Sequence, residues 1–281
     1  MMDDDTLSML LTCTDYDQHF PFDASIFPKE LPCIISGMDM GCCVDKWRNS
    51  SYLIQGLGKD AVSMQTSAVP LIDFKQKNFQ YSARLLEAMA RQVLKSIAND
   101  VHKPDFIPSE KVFSSVLRIS SAGTVLFMHY DVMDNVLLQI CGRKEVILFP
   151  PKEIDKLQQT YFGVPKKSND LLCDPRYPLA GEAKRWECHL NPGDLLFIPA
   201  FWLHSVKSLE FSVSVNIFWR RLPTDNYDKK DMFGNRDLVF ARRADEGVSK
   251  AIRLLSRLPA YYRDFYARRF IRKLREVLIE D

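Results

Sequence analysis

No segment of this 281-residue sequence is apolar for long enough to span a bilayer, which takes about 20 consecutive apolar residues. The opening, MMDDDTLSML, is acidic and has neither a basic start nor an apolar stretch, so a secretory leader is not expected. Cysteine is sparse and unpaired in spacing: Cys13, Cys33, Cys42, Cys43, Cys141, Cys173 and Cys188 make an odd set of seven without a CxxC. That argues against a disulfide framework or a zinc site and makes most of the thiols small buried hydrophobes. Internal repeats, low-complexity tracts and long Gly/Ser linkers are also lacking. What remains is an ordinary globular composition, 46% apolar and 26% charged, with enough chain for one large domain or a domain plus an appendage. A soluble intracellular protein, cytoplasmic or nuclear, with no membrane partner is expected.

The net charge of +2 excludes little, but its distribution is uneven. Residues 250–281 hold nine Lys/Arg against four Asp/Glu, which permits a polyanionic partner.

Residues 1 to about 80 mix strand-like pieces with turn signals, and Leu31-Pro-Cys-Ile-Ile-Ser36 reads as a strand. From Ser82 to Asp100 the apolar residues Leu85, Leu86, Met89, Val93, Leu94 and Ile97 recur at helical spacing. Short β-branched and aromatic runs follow at 112–119, 135–141, 146–149, 195–198 and 211–219. Gly142-Arg143 separates two of them as a hairpin turn. Many short antiparallel strands predict a mainly β chain, a barrel or double-sheet jelly roll of the cupin kind. Residues 151–185, rich in Pro, Lys and Asp, read as an insertion across the barrel mouth. Two helices are expected at 242–258 and 261–278, divided by Pro259-Ala260. The expected organisation is a mixed α/β flank over 1–111, a β-barrel over 112–220 and a helical tail over 221–281.

Chemistry concentrates in the β region. His129 and Asp131 form an H-x-D pair, and residues two apart on a strand share a face. A third ligand from a neighbouring strand would complete a site, and His204 stands just beyond Gly193-Asp-Leu-Leu-Phe-Ile-Pro199. Two imidazoles and one carboxylate leave coordination positions free, the pattern of non-haem iron(II) oxygenases, although manganese, cobalt or nickel suit the same donors. An H-x-D pair is common by itself, and His204 alone fits a satisfied core histidine. Their combination in a β-rich chain is what points to metal. His19, His102 and His189 lack such context and read as structural.

Lys144 follows the turn after the 135–141 strand and can project into the barrel. Taken alone it fits a solvated lysine between Arg143 and Glu145; a buried lysine needs an anion, and a dicarboxylate cosubstrate would supply one. Asn135, four residues past Asp131, and Asn216, a polar residue inside the apolar run Val215-Asn-Ile-Phe-Trp219, are the candidate amide partners.

The segments Phe113-Ser-Ser-Val-Leu-Arg-Ile-Ser-Ser-Ala-Gly123, His129-Tyr-Asp-Val-Met-Asp-Asn135, Gly142-Arg-Lys144, Gly193-Asp-Leu-Leu-Phe-Ile-Pro-Ala200 and Val215-Asn-Ile-Phe-Trp219 together resemble the JmjC hydroxylases. Met38-Asp-Met-Gly-Cys42, Lys46-Trp47 and Tyr262-Arg-Asp-Phe-Tyr-Ala-Arg-Arg269 extend the likeness over most of the chain, towards the JmjC hydroxylases of tRNA wybutosine biosynthesis. The resemblance implies a double-stranded β-helix, iron(II) held by His129, Asp131 and His204, and 2-oxoglutarate bound by Asn135 and Lys144. It further implies dioxygen as oxidant, hydroxylation of the side chain of a hypermodified guanosine in phenylalanine tRNA, and a homodimer built through the C-terminal helices. At one place the sequence departs: the family's tyrosine-bearing strand ahead of the barrel has no match between Tyr81 and Phe113. Either another residue supplies that contact or the cosubstrate pocket is incomplete.

Lys166, Lys167, Lys184, Arg185, Arg268, Arg269, Arg272 and Lys273 are candidate phosphate contacts for tRNA. The basic tail also fits an amphipathic dimer helix with a solvated charged face. Two other functions suit the same residues: a JmjC hydroxylase of a protein side chain, and a cupin-like RNA- or protein-binding module without turnover.

Overall fold

The computed structural model describes residues 12–13, 31–57, 64–66, 79–84, 95–157, 179–231 and 234–279. Its strands are β1 (Thr12–Cys13), β2 (Cys33–Ile35), β3 (Met64–Thr66), β4 (Phe79–Arg84), β5 (Val112–Ser120), β6 (Val125–His129), β7 (Asp134–Cys141), β8 (Lys144–Phe149), β9 (Trp186–Leu190), β10 (Leu195–Ile198), β11 (Leu203–Ser208) and β12 (Ser212–Trp219). They form an eight-stranded sheet in the order β1-β2-β10-β7-β12-β5-β4-β3 and a four-stranded sheet in the order β6-β11-β8-β9. All described pairings are antiparallel except β1 with β2. The cupin-type jelly roll expected from the run of short strands is the fold found.

The period-2 pattern of the strands divides the core into layers. In β7, Leu137 packs between the sheets with Val146, Leu148, Leu190, Leu196 and Val206. Its neighbours Val136 and Leu138 face the other way, onto Trp47, Leu53, Ile97 and Ile107 of the N-terminal flank. A third cluster, Phe149, Leu157, Ala180 and Leu203, covers the outside of the smaller sheet. The large sheet is buried on both faces in its centre: every residue of β12, the serines and Asn216 included, and all of β7 but Cys141 are buried.

Two expectations change. Gly142-Arg143 is not a hairpin turn, because β7 pairs with β10 and β12 whereas β8 pairs with β11 and β9. The chain instead turns a corner from one sheet to the other. Gly142 makes this possible with φ +70°, and a Cβ there would lie 2.0 Å from the carbonyl oxygen of Phe211. The helix expected over 82–100 is also not continuous: residues 82–84 belong to β4, paired with β5, and only Lys95–Ala98 is helical among the described residues of that span. Sheet pairing with β5 outweighs the helical period of the sequence there. The apolar residues Leu85, Leu86, Met89, Val93 and Leu94 fall outside the described residues, as do Cys173, His19, Lys166 and Lys167.

The flank is anchored by Asp100, which accepts hydrogen bonds from Tyr52 Oη (2.6 Å), Trp47 Nε1 (3.0 Å), Lys46 Nζ (3.0 Å) and Cys42 Sγ (3.1 Å). Burial disfavours its charge, but the converging donors outweigh that and hold the carboxyl down at about 2. Cys33, Cys43 and Cys188 are buried as expected, whereas Cys42 is exposed. His102 pairs with Asp39 at 3.0 Å, and His189 is exposed on β9.

The chain divides into two compact units, Met1–Thr224 with Lys229–Arg236, and Asp225–Asp228 with Asp237–Asp281. The second consists of two helices, Val239–Leu255 and Ala260–Leu278, close to the two expected. Neither helix has a buried residue. Phe240, Ile252, Tyr262, Phe265, Ile271 and Val277 are all more than half exposed. No helix among the described residues is long and apolar enough to cross a membrane.

Candidate metal centre

His129 is the last residue of β6, and His204, the second residue of β11, lies directly opposite it in the antiparallel register. Their ring centroids are 4.2 Å apart. Asp131 lies beyond the end of β6, so a shared strand face does not account for the pair. Backbone bonds turn this carboxylate inward instead: Phe201 N–H donates to the Asp131 carbonyl (2.8 Å), and Val132 N–H donates to the Gly234 carbonyl (2.7 Å). The ligand atoms of His129, Asp131 and His204 fall within 4.8 Å of one another, with 3.7 Å between His204 Nε2 and Asp131 Oδ2.

The tautomers follow from the neighbours. His129 Nδ1 lies 2.7 Å from the Phe127 carbonyl and His204 Nδ1 lies 2.9 Å from the Trp202 carbonyl. A carbonyl only accepts, so each Nδ1 carries the hydrogen and each Nε2 presents a lone pair, the orientation a metal requires. Burial lowers His204 to about 4, and burial with the neighbouring His204 lowers His129 well below the usual range. Both imidazoles are therefore neutral at physiological pH. Burial pushes the Asp131 carboxyl up to about 8, against the pull of the Arg118 guanidinium. A divalent cation between these groups would favour the carboxylate, and the donor set of two imidazoles and one carboxylate suits a first-row divalent ion.

The three residues open into a cavity also lined by Arg118, Lys144 and Asn216. Lys144 opens β8 just past the sheet corner and is 3% exposed, with Nζ 2.5 Å from Ser214 Oγ. Burial, and then the Arg118 charge, brings its ammonium down to about 7. The structure thus places Lys144 and Asn216 on the cavity wall. Asn135 is fully buried behind Asp131.

Arg118 was not singled out in the sequence. Its Nε donates to Asn216 Oδ1 (3.1 Å), Asn216 Nδ2 donates to Asn135 Oδ1 (3.2 Å), and Asn135 Nδ2 donates to Asp131 Oδ2 (3.1 Å). This directional chain runs from a cation to the carboxylate ligand and fixes the orientation of both amides. The signal for it was a lone arginine between Leu117 and Ile119 in a strand with two buried faces. Asp134 was also missed: it receives Ala200 N–H (3.0 Å) and pairs with Arg221, which pins the loop before His204.

Of the candidate phosphate contacts, Arg185 pairs with Glu187, Arg268 with Asp264 and Arg272 with Glu276. The two helical pairs are i,i+4, the arrangement of a solvated helix face.

A family model for the cupin-like domain matches residues 75–225. The tRNA wybutosine-synthesizing protein 5 of Gallus gallus is 38% identical, covering 91% of this chain and 91% of that protein. Its Homo sapiens counterpart is 38% identical, covering 89% of this chain and 90% of that protein. The tRNA wybutosine-synthesizing protein 4 of Gibberella zeae is 36% identical across 86% of this chain, but the match spans only 27% of that longer protein. Jelly-roll topology, a full-domain match and end-to-end similarity agree: the chain belongs to the cupin-like domain family and, within it, to the family of tRNA wybutosine-synthesizing protein 5.

Proposed function

We propose that this protein is an iron(II)- and 2-oxoglutarate-dependent oxygenase that hydroxylates the side chain of a wybutosine-precursor guanosine in phenylalanine tRNA. The observation that carries the reading is the His129–Asp131–His204 triad at one end of a cavity whose wall also holds two cations, Lys144 and Arg118. When bound, iron(II) with 2-oxoglutarate and dioxygen supplies the oxidising power to replace a substrate C–H bond by C–OH.

The protein's own groups do the rest. The Nε2 lone pairs of His129 and His204 and the Asp131 carboxylate would hold the metal, and the cavity they open into would take the cosubstrate. Lys144 Nζ, steadied by Ser214, is the partner for the far carboxylate of 2-oxoglutarate, and Arg118 adds a second positive charge on the same wall. Asn135, whose Nδ2 donates to Asp131, orients that carboxylate, and Asn216, on the cavity wall, is the amide placed to reach the cosubstrate. Arg118 is the candidate for the contact that the family takes from its upstream tyrosine strand. The names of the relatives support tRNA as substrate. The exposed apolar faces of the 239–255 and 260–278 helices support a homodimer through the segment 221–281, with 112–220 as the catalytic barrel and 1–111 as its flank.

The test is succinate release by the iron(II)-loaded protein, with and without hypomodified phenylalanine tRNA. Stimulation by that tRNA is the expected result. Turnover that tRNA does not stimulate redirects the substrate to a protein side chain, and bound iron without any succinate release overturns the oxygenase reading.

A further inference from the structure

Of the three residues of the metal centre, Asp131 alone has no strand to hold it. His129 and His204 face each other in the register of β6 and β11, whereas Asp131 stands between the end of β6 and the start of β7. The peptide group that follows it is held by other means. The Asp131 carbonyl accepts Phe201 N–H (2.8 Å), and Val132 N–H, on the far side of the same peptide plane, donates to the Gly234 carbonyl (2.7 Å). A peptide plane is rigid, so bonds from opposite sides fix the group to which the Asp131 Cα belongs. Little freedom is then left in where the carboxylate starts.

Both jaws of this clamp are built on left-handed backbone. Phe201 has φ +68°, the only positive φ outside glycine among the described residues, and Gly234 has φ +74°. Such a backbone is disfavoured for phenylalanine, and strain of that kind persists where the surroundings impose it. At 234 glycine is favoured twice, since a Cβ would also lie 3.1 Å from Cδ1 of Phe218, a buried residue of β12. The turn carrying Gly234 is closed by Asp231, which is 3% exposed: its Oδ1 accepts Gly234 N–H (2.9 Å) and its Oδ2 accepts Arg236 N–H (3.0 Å). Residues 229–236 belong to the barrel unit, although the chain on either side of them, 225–228 and 237–281, belongs to the helical unit. We infer that the 231–236 turn is a positioning clamp for Asp131, so that it raises metal affinity and metal binding orders the turn in return. This rests on the metal-centre reading above and extends the site to the stretch of chain that leads into the helical tail.

Gly234→Ala and Asp231→Ala test the clamp without requiring turnover. Each should lower affinity for manganese(II), read by equilibrium dialysis well below Tm, by roughly 10- to 100-fold, the loss typical of groups that orient metal ligands. Asp100→Asn, loosened in the flank, should bind manganese(II) like the wild type, which separates the clamp from general destabilisation. Hydrogen exchange read by mass spectrometry follows the coupling in the other direction. Manganese(II) should slow exchange of the 234–236 amides in the wild type but not in Asp131→Asn, and should leave the 43–47 amides unchanged in both. Turn variants that bind manganese(II) as tightly as the wild type, or that lose Tm alone, overturn the proposal. Exchange at 234–236 that the metal does not alter overturns it as well. Bound iron without succinate release removes the oxygenase reading and leaves the clamp standing, whereas a wild type that binds no divalent ion removes metal centre and clamp together.

Discussion

Asp100 and Asp131 are withdrawn from solvent to nearly the same degree, 4% and 6% exposed, yet their carboxyls are pushed in opposite directions, to about 2 and about 8. Around Asp100 four side-chain donors converge, including the Lys46 ammonium. Asp131 receives one amide hydrogen bond from Asn135 and faces His204, an imidazole that burial keeps neutral. Burial disfavours charge at both, so the difference lies in the donors each fold segment provides. A carboxylate satisfied from within acts as a knot that ties two segments of the flank, 42–52 and the turn at Asp100, to each other. One surrounded by lone pairs is arranged for a cation.

Exchanging charge for an amide should separate the two roles most strongly. Asp131→Asn is expected to reduce iron-dependent succinate release to background while the melting temperature stays close to wild type. Asp100→Asn should do the reverse: losing the charged acceptor costs about 3 kcal/mol, on the order of 10 °C in Tm, with turnover per folded molecule preserved. The acid limb of stability belongs to Asp100 as well. Its folded pKa of about 2 lies below the ordinary 3.8, so its contribution is complete above the ordinary value and is lost as pH falls through about 2. Thermal melts across that range should show the limb flattened in Asp100→Asn. A variant pair that loses stability and turnover together would erase the distinction.

A smaller effect should follow from cutting the chain that reaches Asp131. Arg118→Met leaves Asn216 and Asn135 without the charge that orients them, and through them the carboxylate. Metal affinity, read by equilibrium dialysis with iron(II) or manganese(II), should fall by roughly 10- to 100-fold, as for other groups that orient metal ligands. 2-Oxoglutarate affinity should fall with it, since Arg118 lines the same cavity. A loss confined to Tm would place Arg118 with Asp100 as a structural group.

How much of this was legible in the sequence depended on whether the information was local. The metal triad was visible because histidine is scarce here, His129 stands two residues before Asp131, and His204 follows the run 193–199 in the same strand-rich region. Asn216 stood out as a polar residue in an apolar run, and Lys144 by its place just after the turn that ends the 135–141 strand. The helix over 82–100 failed at its start because residues 82–84 pair with β5, a tertiary contact that periodicity does not encode. Gly142-Arg143 carried a correct turn signal, but only sheet assignment shows that the turn passes between sheets. Arg118 escaped because its partner Asn216 is 98 residues away in sequence.

The smallest effect is a count of protons, and it compares Asp131 with Lys144 inside one cavity. At pH 7 the Asp131 carboxyl, at about 8, is mostly protonated, while both imidazoles are already neutral. Metal binding should therefore release most of a proton, and affinity should rise with pH until about 8, then level off. Lys144, at about 7, is only partly charged at that pH. A dianion beside it restores the ammonium, so 2-oxoglutarate binding should take up about half a proton at pH 7 and more as pH rises. Titration calorimetry in buffers of different ionisation enthalpy reads both numbers. Asp131→Asn should abolish the release and Lys144→Met the uptake, each without changing the other. Two opposite proton counts from one cavity would mean that burial keeps Lys144 partly uncharged, as it keeps Asp131 mostly protonated, until each ligand arrives; metal binding that releases no proton at pH 7 would remove Asp131 from that pair and leave the contrast with Asp100 without a chemical basis.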